Sequence, residues 1–294
     1  GDCMKKHKEK IMEIVFLLTA LVSILAVALI CIFLFANGLP AMKKIGFTQF
    51  LLGKTWKPGN GIYGIFPMII GSLYVTAGAI IIGVPIGILS AVFLARFCPK
   101  KLYRFLKPAV DLLAGIPSVV YGFFGLVVMV PFVREQFGGD GLSVFTASVL
   151  LGIMILPTII RMTEVSLRAV PHEYKEGALA LGASKLQYIF KVQLGAAKSG
   201  IMAGIVLGIG RALGETMAVI LVSGNAAIIP KNLVDPVRTL TANIAIEMSY
   251  ATGVAQQALF ATGMVLFALI MLVNFALNKF ISSSERRSGN ASKA

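Results

Sequence analysis

An all-α, polytopic membrane protein with about six transmembrane helices is the predicted fold class, and three observations predict it. Of the 294 residues, 57% are apolar, and the mean hydropathy is +0.87; soluble domains do not reach such values. Apolar runs recur at the length a bilayer requires, around twenty residues. Lysines and arginines gather in alternate connections between these runs, as the positive-inside rule demands.

The spans are expected near residues 14–36, 67–95, 109–133, 142–160, 196–223 and 256–280. The first follows a basic stretch, Lys5 to Lys10. It is too long for a signal-peptide core and lacks a convincing cleavage site, so it is read as an anchored span. Pro85 and Pro157 fall inside the second and fourth spans, where a bundle tolerates a kink. One side of the membrane collects Lys5, Lys6, Lys8 and Lys10, the Arg96–Lys107 cluster, the cations from Arg161 to Lys198, and Lys279, Arg286, Arg287 and Lys293. The other side holds only Lys43, Lys44, Lys54, Lys57, Arg134, Lys231 and Arg238. Both termini are therefore expected to be cytoplasmic. The division expected is 1–66 as N-terminal tail, first span and external loop, 67–281 as the core transmembrane domain, and 282–294 as a cytoplasmic tail.

Several functions are excluded by what the chain carries. The net charge of +14 is accounted for by topology and by attraction to anionic membrane lipid. No basic stripe is interleaved with exposed aromatics, so no nucleic-acid partner is expected. Cys3, Cys31 and Cys98 are scattered and only His7 and His172 are present, so no metal site is expected. No G-x-x-x-x-G-K-[ST] occurs, so the chain itself does not hold ATP through a P-loop.

One polar stretch, 170–187, is too well organised for an ordinary loop. Pro171 suits a first helical position, and Gly182 suits the residue just past a helix end. Ser184 with Gln187 three residues on forms a capping box for a second short helix. A helix of about ten residues is roughly 15 Å long and cannot cross a bilayer. It is a structured knob in the aqueous phase, on the side that the basic residues make cytoplasmic.

This segment resembles the signature loop of the permease subunits of binding-protein-dependent ABC importers, a pattern of Glu-Ala-Ala, three residues, Gly, nine residues, then Ile-x-Leu-Pro. Here it stands as Glu176-Gly177-Ala178, Gly182 and Val192-Gln193-Leu194-Gly195, departing at Gly177, Val192 and Gly195. Further stretches narrow the resemblance to phosphate-specific permeases of the PstC type: Gly71–Thr76, Ala114–Gly122, and Gly210-Arg211-Ala212-Leu213-Gly214-Glu215-Thr216-Met217-Ala218-Val219. The resemblance implies a type I ABC importer (MetI-like) permease fold, with coupling helices at about 170–190. It implies a subunit in a prokaryotic cytoplasmic (inner) membrane that catalyses no covalent chemistry. Its partners would be a second permease of the PstA type, two ATPase subunits that bind ATP and Mg, and an external phosphate-binding protein. Glu176, Gly177, Ala178 and Gly182 would dock on the ATPase. The competing readings are a permease for another oxyanion, sulfate or molybdate, and an ion-coupled secondary transporter, which would call for an inverted repeat and a midplane cation site.

Arg211 and Glu215 lie four residues apart in the fifth expected span, hence on one face of a continuous helix. An ionised side chain at that depth costs roughly 2.5–3.5 kcal/mol or more, so it faces a cavity or a partner. An Arg211–Glu215 ion pair locking the bundle is one reading. The other is a substrate path, with Arg211 presenting a donor fork to phosphate oxygens and Glu215 accepting the proton that phosphate carries and sulfate lacks. Gly200, Gly204 and Gly208 recur every fourth residue on the same helix, an expected seam for a closely packed neighbour. Glu164 and Arg168 are read as an ordinary i,i+4 pair worth a few tenths of a kcal/mol, and Asp111 as a partner for a nearby cation. Residues 137–141 are read as a turn, and the segment 225–253 as long enough to meet a binding protein.

Overall fold

The computed structural model describes residues 2–291, with side chains over 10–277 and at Lys279. The side chains of Lys5, Lys6, Lys8, Arg286 and Arg287, and all of Lys293, lie outside the described residues. In chain order, the long helix α1 (Asp2–Ile45) and the short α2 (Phe47–Leu52) lead into a two-stranded hairpin, β1 (Trp56–Lys57) and β2 (Ile62–Tyr63). The helices α3 (Phe66–Val92), α4 (Lys100–Gly115), α5 (Ser118–Phe124), α6 (Val130–Phe137) and α7 (Val144–Ala169) follow. The polar segment forms α8 (Glu173–Ala180), α9 (Lys185–Gln187) and α10 (Leu194–Ala196). The chain finishes with α11 (Lys198–Gly214), α12 (Met217–Val222), α13 (Leu240–Glu247) and α14 (Gly253–Ala291).

Among the described residues, five helices are long and apolar enough to span a membrane: Lys10–Ile45, Phe66–Phe97, Ser118–Phe137, Val144–Ala169 and Gly253–Leu277. A sixth span exists if the pair Lys185–Ala196 and Lys198–Gly214, bent by 69°, counts as one. Two expected spans are corrected. The third does not run unbroken from 109 to 133. Pro117 has no N–H and holds Ile116 in an extended conformation (φ −69°, ψ 127°), which ends α4 and restarts the helix at Ser118. The fifth is broken twice, by the bend at Ala197 and by a stretch at Glu215–Thr216 between α11 and α12.

At the centre lies α7, the most buried of the spans. Its start is set by Ser143, whose hydroxyl accepts from the Thr146 N–H at 3.2 Å. On one side it packs against α3, where a Cβ at Gly87 would stand 2.7 Å from Ile159 Cγ2. On the other it receives α11. The shared core joins Val75, Ala79, Leu151, Ile155 and Ile159 to Ala212, Ala218 and Val222. A second cluster packs Phe50, Trp56, Tyr63 and Ile65 with Met68, Leu240 and Leu259. Trp56 and Tyr63 face each other across the hairpin, edge to face, with centroids 5.7 Å apart. Gly138, Gly139 and Gly141 all take positive φ in the 137–141 turn.

Candidate translocation site

Arg211 is placed by glycines. A Cβ at Gly204 would lie 2.7 Å from Met162 Cβ, one at Gly208 would lie 3.3 Å from Ile159 Cγ1, and one at Gly200 would collide with Ser166 Oγ. The three face α7 in register, so α11 lies against it as closely as backbone allows. The last turn of α11 carries Arg211, where the helix dipole favours a cation.

Glu215 does not continue that helix. It adopts φ −68° and ψ 134° just past Gly214, so the expectation of one shared helical face is overturned. Its carboxylate Oε1 accepts from the Ala218 N–H at 3.2 Å, capping α12, and its backbone carbonyl accepts the Thr241 hydroxyl at 2.8 Å. The break frees backbone groups that lipid cannot satisfy, and Glu215 with Thr241 satisfies them. No hydrogen bond or ion pair engages Arg211 among the described residues. The locking ion pair is therefore absent, and a half-buried guanidinium stands without a counter-charge.

The break at Pro117 lies beside the break at Glu215. A Cβ at Gly122 would come within 2.9 Å of Ala218 Cα, so α5 and α12 touch nearly backbone to backbone. Tyr121 donates its hydroxyl to the Leu113 carbonyl at 2.8 Å, bridging the interruption, and lies within electrostatic reach of Arg211. Two discontinuous helices thus pack against each other, with Arg211 within electrostatic reach of the Tyr121 hydroxyl that bridges one of the breaks. Sequence reasoning missed this arrangement, although Pro117 was the signal for it.

The segment 225–253 is internally braced. Arg238 donates to the Asn225 carbonyl at 2.7 Å and pairs with Glu247 at 2.9 Å, while Thr239, Thr241 and Asn243 are buried. A separate cavity of about 470 Å³ opens between the hairpin and the start of α14, lined by Trp56, Tyr63, Glu247 and Tyr250. None of the expected site residues borders it.

The polar knob at 170–187 forms largely as its sequence dictates. Gly182 takes φ +81°, and the N–H groups of Gly182 and Ala183 bond back to the Leu179 and Ala178 carbonyls, each at 3.0 Å. The Ser184–Gln187 capping box is present in both directions. Pro171 falls before the helix rather than at its first position: His172 caps α8, and Val170 is extended ahead of the proline. A side chain at Gly177 would meet open space, and Glu176 is exposed, 3.0 Å from His172 Nδ1. Ala178 points the other way, packed with Leu167, Tyr188 and Ile201, so it seats the helix rather than facing outward. Tyr174, Leu179, Leu186 and above all Leu181, which is 90% exposed, are apolar groups left uncovered.

Glu164 is the second residue whose setting was underread. Its side chain is only 3% exposed, and it accepts from Tyr103 Oη at 2.7 Å, Lys107 Nζ at 3.0 Å and Arg168 Nε at 3.0 Å. This is a buried node joining α4 to α7, not an ordinary i,i+4 pair. Asp111 lies 3.6 Å from Lys107, as expected of a cation's partner. The legible signal was that Tyr103 and Lys107 share the four-residue spacing of Glu164 and Arg168.

Comparison with known proteins agrees with this architecture. Residues 83–287 match the family described as binding-protein-dependent transport system inner membrane component. A probable ABC transporter permease protein, YqgH of Bacillus subtilis, is 37% identical over 91% of this chain and 88% of its own length. The phosphate transport system permease protein PstC of Mesorhizobium japonicum is 36% identical over 88% of this chain and 86% of its own. The inward-facing MetNI methionine ABC transporter shares the fold at 23% identity, with a TM-score of 0.58 over 78% of this chain and 99% of that one. With its broken spans packed around α7 and its polar knob formed, the chain belongs to the family of binding-protein-dependent transport system inner membrane components.

Proposed function

We propose that this chain is one permease half of an ATP-driven phosphate importer, oriented with both termini in the cytoplasm and catalysing no covalent step itself. A second, PstA-type permease would complete the path. Two ATPase subunits binding ATP and Mg would dock on α8, and an external binding protein would deliver phosphate. The observation that carries the reading is Arg211, a permanent cation without a counter-charge where two broken helices meet. Such a guanidinium offers paired donors to an oxyanion and offsets the cost of bringing its charge into a low dielectric. The PstC relatives support phosphate as that anion.

Glu215 sets the selectivity in this reading. Its Oε1 is held by the Ala218 N–H, which leaves the other oxygen to accept a proton from hydrogen phosphate. Sulfate has no proton to offer and would meet the carboxylate as a like charge. At the cytoplasmic face, Leu181, Leu179 and Tyr174 supply the apolar contact that an ATPase cleft would cover.

The test is ATP-dependent uptake of labelled phosphate into vesicles holding the full assembly, with sulfate as competitor and Arg211→Ala as the variant. Uptake in wild type and its loss in an assembled variant is the expected result. Unchanged uptake in the variant would make Arg211 a structural charge. No phosphate uptake in wild type would return the substrate to sulfate or molybdate.

A further inference from the structure

The Glu164 node has no part in the path just proposed, yet it stands between the element an ATPase would push and the cation that would meet substrate. Only Val170, Pro171 and His172 separate the end of α7 from α8. Displacement of α8 is therefore delivered first to the cytoplasmic end of α7. That end is cross-braced: Arg96 Nη2 and Gln193 Nε2 both donate to the Leu167 carbonyl, at 2.8 and 2.7 Å, and Arg168 Nη2 donates to the Leu94 carbonyl at 3.3 Å. Thus α3, α7 and the turn entering α10 move as a block.

The helix α4 belongs to this block through one polar tie. None of its side chains is fully buried, and its apolar contact is the modest set Leu106 and Val110 against Leu94, Leu156 and Ile160. Apolar contacts of this kind permit sliding. A buried carboxylate gripped by Tyr103 and Lys107 from α4 and by Arg168 from its own helix does not, because any slip leaves a charge unpaired in a low dielectric. The Arg168 guanidinium also lies over the Tyr103 ring, 5.0 Å from its centroid. At its far end α4 reaches Leu113, whose carbonyl is held by Tyr121, within electrostatic reach of Arg211.

We propose that Glu164 is a positioning residue for transport, a clasp that makes α4 follow α7 and so conveys movement of the cytoplasmic knob to the Pro117 break beside Arg211. The inference rests on the transport reading above for its consequence, and on the contacts alone for its mechanics. Without the clasp, α7 and α4 move independently, and ATP turnover proceeds without opening the path.

The experiment uses the complete assembly in proteoliposomes and compares wild type with Glu164→Gln and Tyr103→Phe. Phosphate moved per ATP is expected to fall at least about fivefold in Glu164→Gln, the low end of measured coupling between sites, with ATP turnover retained and a smaller fall in Tyr103→Phe. An unchanged ratio, or uptake and turnover declining in parallel, overturns the proposal. A second readout is independent of substrate: spin labels at Phe105→Cys and Val165→Cys, both exposed positions, in a cysteine-free background. Their separation is expected to stay fixed between ATP-free and ATP-trapped states when Glu164 is present and to change between those states in Glu164→Gln. Equal behaviour in both overturns the clasp. A label response without phosphate uptake in wild type keeps the clasp and removes the transport reading. If Glu164→Gln does not assemble, Tyr103→Phe carries both measurements: a smaller fall in phosphate moved per ATP and a change in label separation between states are expected, and an unchanged ratio or a fixed separation overturns the proposal.

Discussion

The Thr241 hydroxyl donates to the Glu215 backbone carbonyl at 2.8 Å, fastening helix α13 to the break that ends α11. One residue earlier, the Leu240 N–H donates to Ser72 Oγ on α3 at 3.0 Å. The start of α13 is thereby pinned to two spans at once, and a carbonyl freed by the helix break is satisfied. Thr241→Val keeps the volume and leaves that carbonyl without its donor, which costs about 1–3 kcal/mol when buried. A lowered thermal midpoint of the purified assembly, restored by Thr241→Ser, is the expected outcome. An unshifted midpoint would mean that water or another donor replaces the hydroxyl.

Glu215 combines a cap with a charge, and two substitutions separate them. Glu215→Gln retains an oxygen for the Ala218 N–H, so α12 keeps its start while the charge is lost. Phosphate uptake should persist while its preference over sulfate falls. Glu215→Ala removes the cap as well and should cost a further ~1 kcal/mol of stability, read by denaturation of the same assembly. Full phosphate preference in the glutamine variant would remove Glu215 from the selectivity mechanism.

Docking of an ATPase on α8 should depend on Leu181 far more than folding does. Leu181 is 90% exposed, so Leu181→Asp leaves the fold intact but places a charge where an apolar contact is expected. Loss of co-purified ATPase with an unchanged permease melting curve is the predicted pattern. Gly182→Ala acts in the opposite order: its φ of +81° strains an L-residue by roughly 1–2 kcal/mol, so stability falls first. Retained ATPase in Leu181→Asp would place the docking contact elsewhere on the knob.

The exposed turn at 231–235 should respond to acid in a defined direction. Asp235 Oδ2 accepts the Asn232 N–H at 2.9 Å and the Lys231 N–H at 2.8 Å. These bonds hold its carboxyl below the ordinary aspartate range, Asn232 contributing most. A depressed folded value means that the stabilisation is complete above the ordinary range and is lost as pH falls through the folded value. Amide exchange at Lys231 and Asn232 should therefore stay protected through the ordinary range and quicken only below it. Asp235→Asn should abolish that pH dependence.

The parts of the fold legible in the sequence were those decided locally. Gly182 had to be a helix end because only glycine accepts its φ cheaply, and Ser184 with Gln187 carries its cap within four residues. The glycine register of α11 was equally legible, and the structure shows that its neighbour is α7. What escaped depended on residues distant in sequence. Glu215 leaves the helix where Thr241, 26 positions away, donates its hydroxyl to the freed Glu215 carbonyl. Glu164 looked like half of a local pair because Tyr103 and Lys107 lie 61 and 57 positions from it. The break at 116–117 was a different kind of miss. Pro117 announced it, and an apolar run of spanning length concealed it.

Arg211 also sits in the electric field of an energised membrane. Carrying one elementary charge through the whole field is worth about 2.3 kcal/mol per 100 mV, and the end of α11 bears such a charge with no ion pair to cancel it among the described residues. Any shift of that helix end therefore does electrical work in proportion to the depth it travels. On the proposed reading the cargo anion's own charge crosses the same field, so the voltage dependence of uptake reports the movement of phosphate and of Arg211 together.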